Sequence, residues 1–142
     1  MTLFFQKSVH KALSFMNPLT VEWIAKAEAD LATARRELRV RKSPNYDAVC
    51  FHSQQGAEKL LKAALTERGL SFSKTHDLAR LLGLLIPEHP ALAVLNDICS
   101  DLSAYAVEFR YPGENATKAM ARIALKNSEL VHEEILANLQ RG

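Results

Sequence analysis

At 142 residues, 48% apolar and 24% charged, the chain is long enough for one domain that buries roughly two-thirds of its extended surface, with no staple required. Aromatic content of 7% with only five glycines and five prolines leans towards helices. A formal net charge of +2 does not by itself mark a nucleic-acid binder, although Arg35, Arg36, Arg39, Arg41 and Lys42 fall within eight positions, as either a solvated helix end or a phosphate-binding patch.

In chain order, Phe5, Val9, Leu13 and Met16 recur at helical spacing, so residues 1–16 form either a short amphipathic helix or a flexible extension, and Met16 is a candidate natural start. Lys7, His10 and Lys11 interrupt any run long enough for a signal-peptide core or a membrane span, which predicts a cytoplasmic protein. The domain proper, 17–142, opens with Thr20 as the expected cap of a first helix. Glu22 falls in its first turn, and Trp23, Ala27, Leu31, Ala34 and Leu38 form its apolar stripe. Ser43-Pro44 reads as a cap followed by proline in the first helical position, opening a central helix that ends at Gly69. Thr75 is the expected cap of a third helix over HDLARLLGLLI, with Asp77 in its first turn and Pro87 as its stop. A fourth helix is expected from Pro90 to about Phe109, on the face of Leu92, Leu95, Ile98, Cys99, Leu102 and Tyr105. RYPGEN breaks the pattern, and a fifth helix follows from Ala116, with Asn115 as cap and Met120, Ile123, Ala124, Leu130, Val131, Ile135 and Leu139 as its apolar face. No strand signal competes. The expected fold is all-α, an antiparallel up-and-down helical bundle of about five helices.

The central helix carries the most unusual pattern. At roughly 100° per residue, Tyr46, Val49, Cys50, Ser53, Ala57, Leu60, Leu61 and Ala64 share one side, while His52, Gln55, Glu58, Lys59 and Lys62 share the other. Two further polar groups are Lys74-Thr75-His76-Asp77 before helix three and Glu108-Phe109-Arg110-Tyr111 after helix four, and a bundle could bring all three together. Arg110 between two aromatics suits recognition of a phosphate or carboxylate, with an internal ion pair to Glu58 or Asp77 as the competing role. Glu129 and His132 form one Glu-x-x-His; a di-metal centre needs that motif twice, so both are expected to be solvated on an outer face. Cys50 and Cys99 have no ligand-like spacing and are expected to be reduced and packed. Cys50 and His52 point about 160° apart and form no nucleophile-base pair. There is no glycine-rich phosphate loop and no Gly-x-Ser-x-Gly elbow.

The phrases FHSQQGAEKLLKAAL, KTHDLARLL and YAVEFRYPG, in this order and spacing, resemble the HEPN domain family (higher eukaryotes and prokaryotes nucleotide-binding), and the likeness extends from about Pro18 to Leu139. The resemblance implies a compact helical bundle that forms a homodimer, works with a minimal nucleotidyltransferase and often belongs to a toxin-antitoxin pair. Ribonuclease members of the family carry an arginine and a histidine with about four to six residues between them, the histidine acting on the 2′-hydroxyl while arginine steadies the phosphate. Here the nearest spacing is Arg68 to His76, with seven residues between, and the positions after Arg110 where histidine would fall are Asn115, Ala116 and Thr117.

The resemblance therefore points to the branch without that motif. Its polar set is Tyr46, His52, Gln55, Glu58, Lys59, Lys62, His76, Asp77, Arg110 and Tyr111, expected to line a groove for an ATP-like nucleotide or to seat the partner enzyme, with no cofactor required. Lys59, His76 and Arg110 are expected to open into one hollow. The rival readings are an RNA-cutting toxin that uses Arg110 with His76, and an assembly bundle without a ligand.

Overall fold

The computed structural model describes residues 15–141. Five α-helices follow one another, α1 (Pro18–Leu38), α2 (Tyr46–Glu67), α3 (Leu78–Leu85), α4 (Asn96–Ser103) and α5 (Lys118–Gln140), and no strand occurs among the described residues. The all-α helical bundle expected from periodicity is what forms. Of the amphipathic segment expected at the N-terminus, only Phe15 and Met16 fall within the described residues. They make a turn, with Phe15 exposed and Met16 packed at the edge of the core.

Helix starts shift from the expected residues wherever a better local cap exists. α1 begins at Pro18, in the first helical position, because the side chain of Asn17 accepts from the Leu19 amide at 2.8 Å; Thr20, the expected cap, is helical and buried. α2 is capped by Asn45, whose Oδ1 accepts from the Ala48 amide, and not by Ser43, which takes a positive φ of 53°. α3 is capped by Asp77 itself, with Thr75 two residues back accepting from the Asp77 amide. α5 starts at Lys118 under a Thr117 cap, since the Ala116 amide is already given to Asp47 Oδ1 at 2.7 Å.

The end of α2 follows the expectation. Gly69 sits at φ 68°, the Leu70 amide donates to Leu65 O and the Gly69 amide to Thr66 O, which closes the helix with a Schellman pattern. Nothing lies within 4 Å of where a Cβ at Gly69 would stand. Gly69→Ala therefore reads out backbone conformation alone, and a loss of about 1 kcal/mol is expected in urea unfolding.

The segment expected as one fourth helix is three pieces: a 3₁₀ turn at Pro90–Leu95, α4, and a second 3₁₀ turn at Ala104–Ala106. The Ser103 hydroxyl donates to Cys99 O and accepts from the Leu78 amide, both at 2.8 Å. That side chain competes with the helical ladder at the end of α4 and ties it to the start of α3.

α2 is the centre of the bundle, packed against α1, α5, α3 and α4. Leu60, Leu61 and Leu65 are fully buried along it, each stabilising the fold by about 1.5–3 kcal/mol. α1 crosses closely, because a Cβ at Gly56 would meet Leu31 Cγ at 3.2 Å. Ser128 on α5 donates to Ser53 O at 2.6 Å, fixing the third long helix. Most of the expected core stripes are buried. Ile123 is the exception at 57% exposed, one position round from the buried Ala124 on the α5 wheel.

Candidate functional site

The polar side of α2 faces α1 and the 70–77 linker, and two carboxylates organise it. Asp30, on α1, accepts from Lys59 Nζ at 2.6 Å on one oxygen and pairs with His52 Nδ1 at 2.8 Å on the other. Glu58 pairs with His76 Nδ1 at 2.7 Å through Oε1 and accepts from Lys62 Nζ at 3.0 Å through Oε2. Gln54, fully buried, donates to Glu58 Oε1 and to His76 O, so the linker is laid over Glu58 by its own backbone. Gln55 donates to Gln54 Oε1 at 2.8 Å and reaches Glu58 Oε1 at 3.5 Å. The Lys62 ammonium also lies over the Trp23 ring at 5.7 Å and near the Phe72 ring at 6.0 Å.

Glu58 is thus 4% exposed and not on a solvated face as the helical wheel predicts. Burial alone would raise its pKa. The hydrogen bonds from His76, Lys62 and Gln54, with the charge of Lys62, outweigh burial and hold the carboxyl below its ordinary 4.5.

At the other end of this polar side, His52 lines a hollow of about 330 Å³ with Phe51, Tyr105, Phe109 and Arg110 and the start of α2. Tyr105 and Phe109 stack, with centroids 5.6 Å apart and planes 21° from parallel. Arg110 is exposed and its guanidinium has no side-chain partner among the described residues. The two carboxylates expected as its internal partners are taken: Glu58 by His76 and Lys62, and Asp77 by the Arg80 amide.

The candidate residues are therefore divided. His52 and Lys59 pair with Asp30, while Lys62, His76 and, by a hydrogen bond, Gln55 gather on Glu58, so the polar side of α2 holds two adjacent clusters, one per carboxylate. Arg110 meets them only at His52, and neither Lys59 nor His76 lines its hollow. The expected convergence of Lys59, His76 and Arg110 does not occur, because Asp30 and Glu58 draw the lysine and the second histidine to separate anchors. Asp77 caps α3, Tyr111 is 70% exposed, and Tyr46 lines a different hollow with Arg39, Arg41 and Arg122. Sequence reasoning misses Asp30. Its one signal is register, since it sits three residues after Ala27 and four before Ala34, an acid on the core-facing side.

The Glu-x-x-His residues are also placed differently from expectation. Glu129 pairs with Arg35 at 3.3 Å, and His132 is buried between α1 and α5 at 7% exposure, its Nε2 without a partner. Burial, followed by the charge of Arg35, pushes the His132 pKa down to about 4. Among the described residues no three His, Cys, Asp or Glu side chains are grouped to hold a metal ion. Cys50 and Cys99 are free and buried, and burial raises both thiols to about 12, so neither is a thiolate at neutral pH.

The described residues form an all-α bundle whose central helix pairs through carboxylates with a neighbouring helix and a linker. The chain belongs to the HEPN domain family, whose model matches residues 20–139. In fold it is similar to TT1696 from Thermus thermophilus, at a TM-score of 0.69 and 24% identity over 86% of this chain and 96% of that one. No curated protein matches the sequence. Among the described residues no helix is long and apolar enough to cross a membrane.

Proposed function

We propose that this HEPN domain is a non-catalytic, homodimeric nucleotide-binding module that acts with a minimal nucleotidyltransferase, as one half of a toxin-antitoxin or defence pair. The single observation that carries the reading is Arg110. It is a permanent cation without a side-chain partner among the described residues, at the rim of a hollow walled by Phe51, Tyr105 and Phe109 and closed by His52. Aromatic faces accept a base, a guanidinium accepts a phosphate in a bidentate fork, and the His52 ring is oriented by Asp30 with Nε2 left outside that bond. The Asp30–His52 pair holds that ring on the hollow's wall, and the part of the polar side that stays exposed, His76 above all, is what a partner enzyme can meet.

Isothermal titration with ATP is the direct test. Saturable binding that weakens by about tenfold or more in Arg110→Ala is expected, the loss of a charge-assisted contact. No saturable heat, together with no complex with a nucleotidyltransferase in gel filtration, would leave an assembly bundle.

RNA cleavage is the second reading, and one observation favours it. His52, not the His76 paired with Arg110 on sequence grounds, shares Arg110's hollow, while His76 is tied to Glu58. If the purified protein cuts RNA and both His52→Ala and Arg110→Ala abolish the cutting, the non-catalytic reading is wrong.

A further inference from the structure

A second hollow, of about 590 Å³, lies on the other side of the α2 start. It is lined by Leu38, Arg39, Val40 and Arg41 from the end of α1 and its loop, by Tyr46, and by Lys118 and Arg122 from the first turns of α5. Four cations thus face one concavity from two separate elements. None of the four side chains has an ion-pair or hydrogen-bond partner among the described residues, whereas Arg35, one turn back on α1, is taken by Glu129.

Glu37 and Asp47, the acids next to these elements in sequence, bond backbone amides and none of the four cations. Glu37 Oε1 accepts from the Asn45 amide at 2.6 Å, which pins the loop carrying Arg39 and Arg41. Asp47 Oδ1 accepts from the Ala116 amide at 2.7 Å, which pins the approach to α5 against α2. The backbone that carries the four cations is therefore held on both sides of the hollow.

The charge also runs against local stability. Lys118 is the first residue of α5, whose first turn contains no acid, so a cation stands at the positive end of the helix dipole. Lys118 and Arg122 stand where a helix favours an anion, whereas Arg39 and Arg41 follow the C-terminus of α1, an ordinary place for cations; the meeting of the two pairs across one concavity is what makes the arrangement of a binding site.

We infer that this hollow is a binding site for a short polyphosphate chain, gripped by Arg39, Arg41, Lys118 and Arg122, with the Tyr46 ring as its wall. Its volume is that of a small-ligand pocket. Four formal positive charges match the charge of a triphosphate, carried either by a nucleotide or by inorganic tripolyphosphate. The inference is independent of the Arg110 hollow.

Calorimetric titration of the full chain with inorganic tripolyphosphate tests it. Saturable binding is expected, weakening with added salt and falling about tenfold or more in the surface double variant Arg39→Gln/Arg122→Gln, but unchanged in Arg110→Ala. A parallel titration with ATP separates the two sources. Tighter binding of ATP that Tyr46→Leu reduces to the tripolyphosphate level identifies a nucleotide, and equal binding of the two identifies the free phosphate chain. Circular dichroism confirms that the variants are folded, since both arginines are exposed. The proposal is overturned by the absence of saturable tripolyphosphate binding or by an unaltered affinity in the double variant. It is equally overturned if only Arg110→Ala weakens binding, or if a single-stranded RNA oligomer binds these residues while tripolyphosphate does not.

Discussion

Glu58→Ala is expected to destabilise the fold by about 3 kcal/mol, seen as a lower urea midpoint with an unchanged slope. The carboxylate is 4% exposed and its partner Lys62 has a side chain only 11% exposed, so its removal leaves an ammonium with little access to water and no counter-charge. It also frees Gln54 and the linker that Gln54 holds down at His76 O. Breaking a buried pair from one side costs more than the pair is worth, because the survivor stays desolvated. Glu58→Gln keeps an acceptor for His76 and Lys62 and should lose less. The acid limb provides a second reading: with a folded pKa below 4.5, the carboxylate contributes its full stability above 4.5 and loses it as pH falls below that value. Glu58→Gln should flatten stability in that range. A midpoint unmoved by Glu58→Ala would mean that the carboxylate is hydrated in solution.

His132 gives the other large effect, in a different pH window. Its ring is 7% exposed and its pKa lies at about 4 in the fold, against 6.5 for the free side chain. Between those values the unfolded chain is protonated and the folded one is not, so stability is complete above 6.5 and falls as pH drops towards 4. A difference of that size corresponds to roughly 3 kcal/mol across the window. His132→Leu should abolish this slope while retaining an apolar side chain in the site. Stability at neutral pH should change little or rise, since His132 Nε2 has no partner to lose. A slope between pH 6.5 and 4 that persists in the variant would place the titration elsewhere.

The pattern of the chain is legible where it depends on neighbours a turn or so away. Spacing of Ala27, Leu31 and Ala34, or of Leu60, Leu61 and Ala64, marks helices and their buried stripes, and Gly69 marks a helix end, since these follow from local dihedrals and period. The helix caps are Asn17, Asn45, Asp77 and Thr117, each two or three residues from the expected Thr20, Ser43, Thr75 and Asn115, because several polar side chains compete there for the same free amides. The second break in the expected fourth helix, after α4, is invisible to periodicity, because the hydroxyl at that point, Ser103, is recruited by a residue 25 positions away.

The sequence by itself determined five helices, their order, a central helix with a polar stripe, and membership in the HEPN family. Only the tertiary structure decided what that stripe does. The rotation of α1 against α2 brings Asp30 to His52 and Lys59, and the path of the linker brings His76 down onto Glu58. Neither is set by local preference, because both depend on which packing of three long helices buries the most apolar surface. That packing turns Glu58 inward, sets Arg110 beside His52 with no side-chain partner among the described residues, and gathers Arg39, Arg41, Lys118 and Arg122 around a hollow of their own.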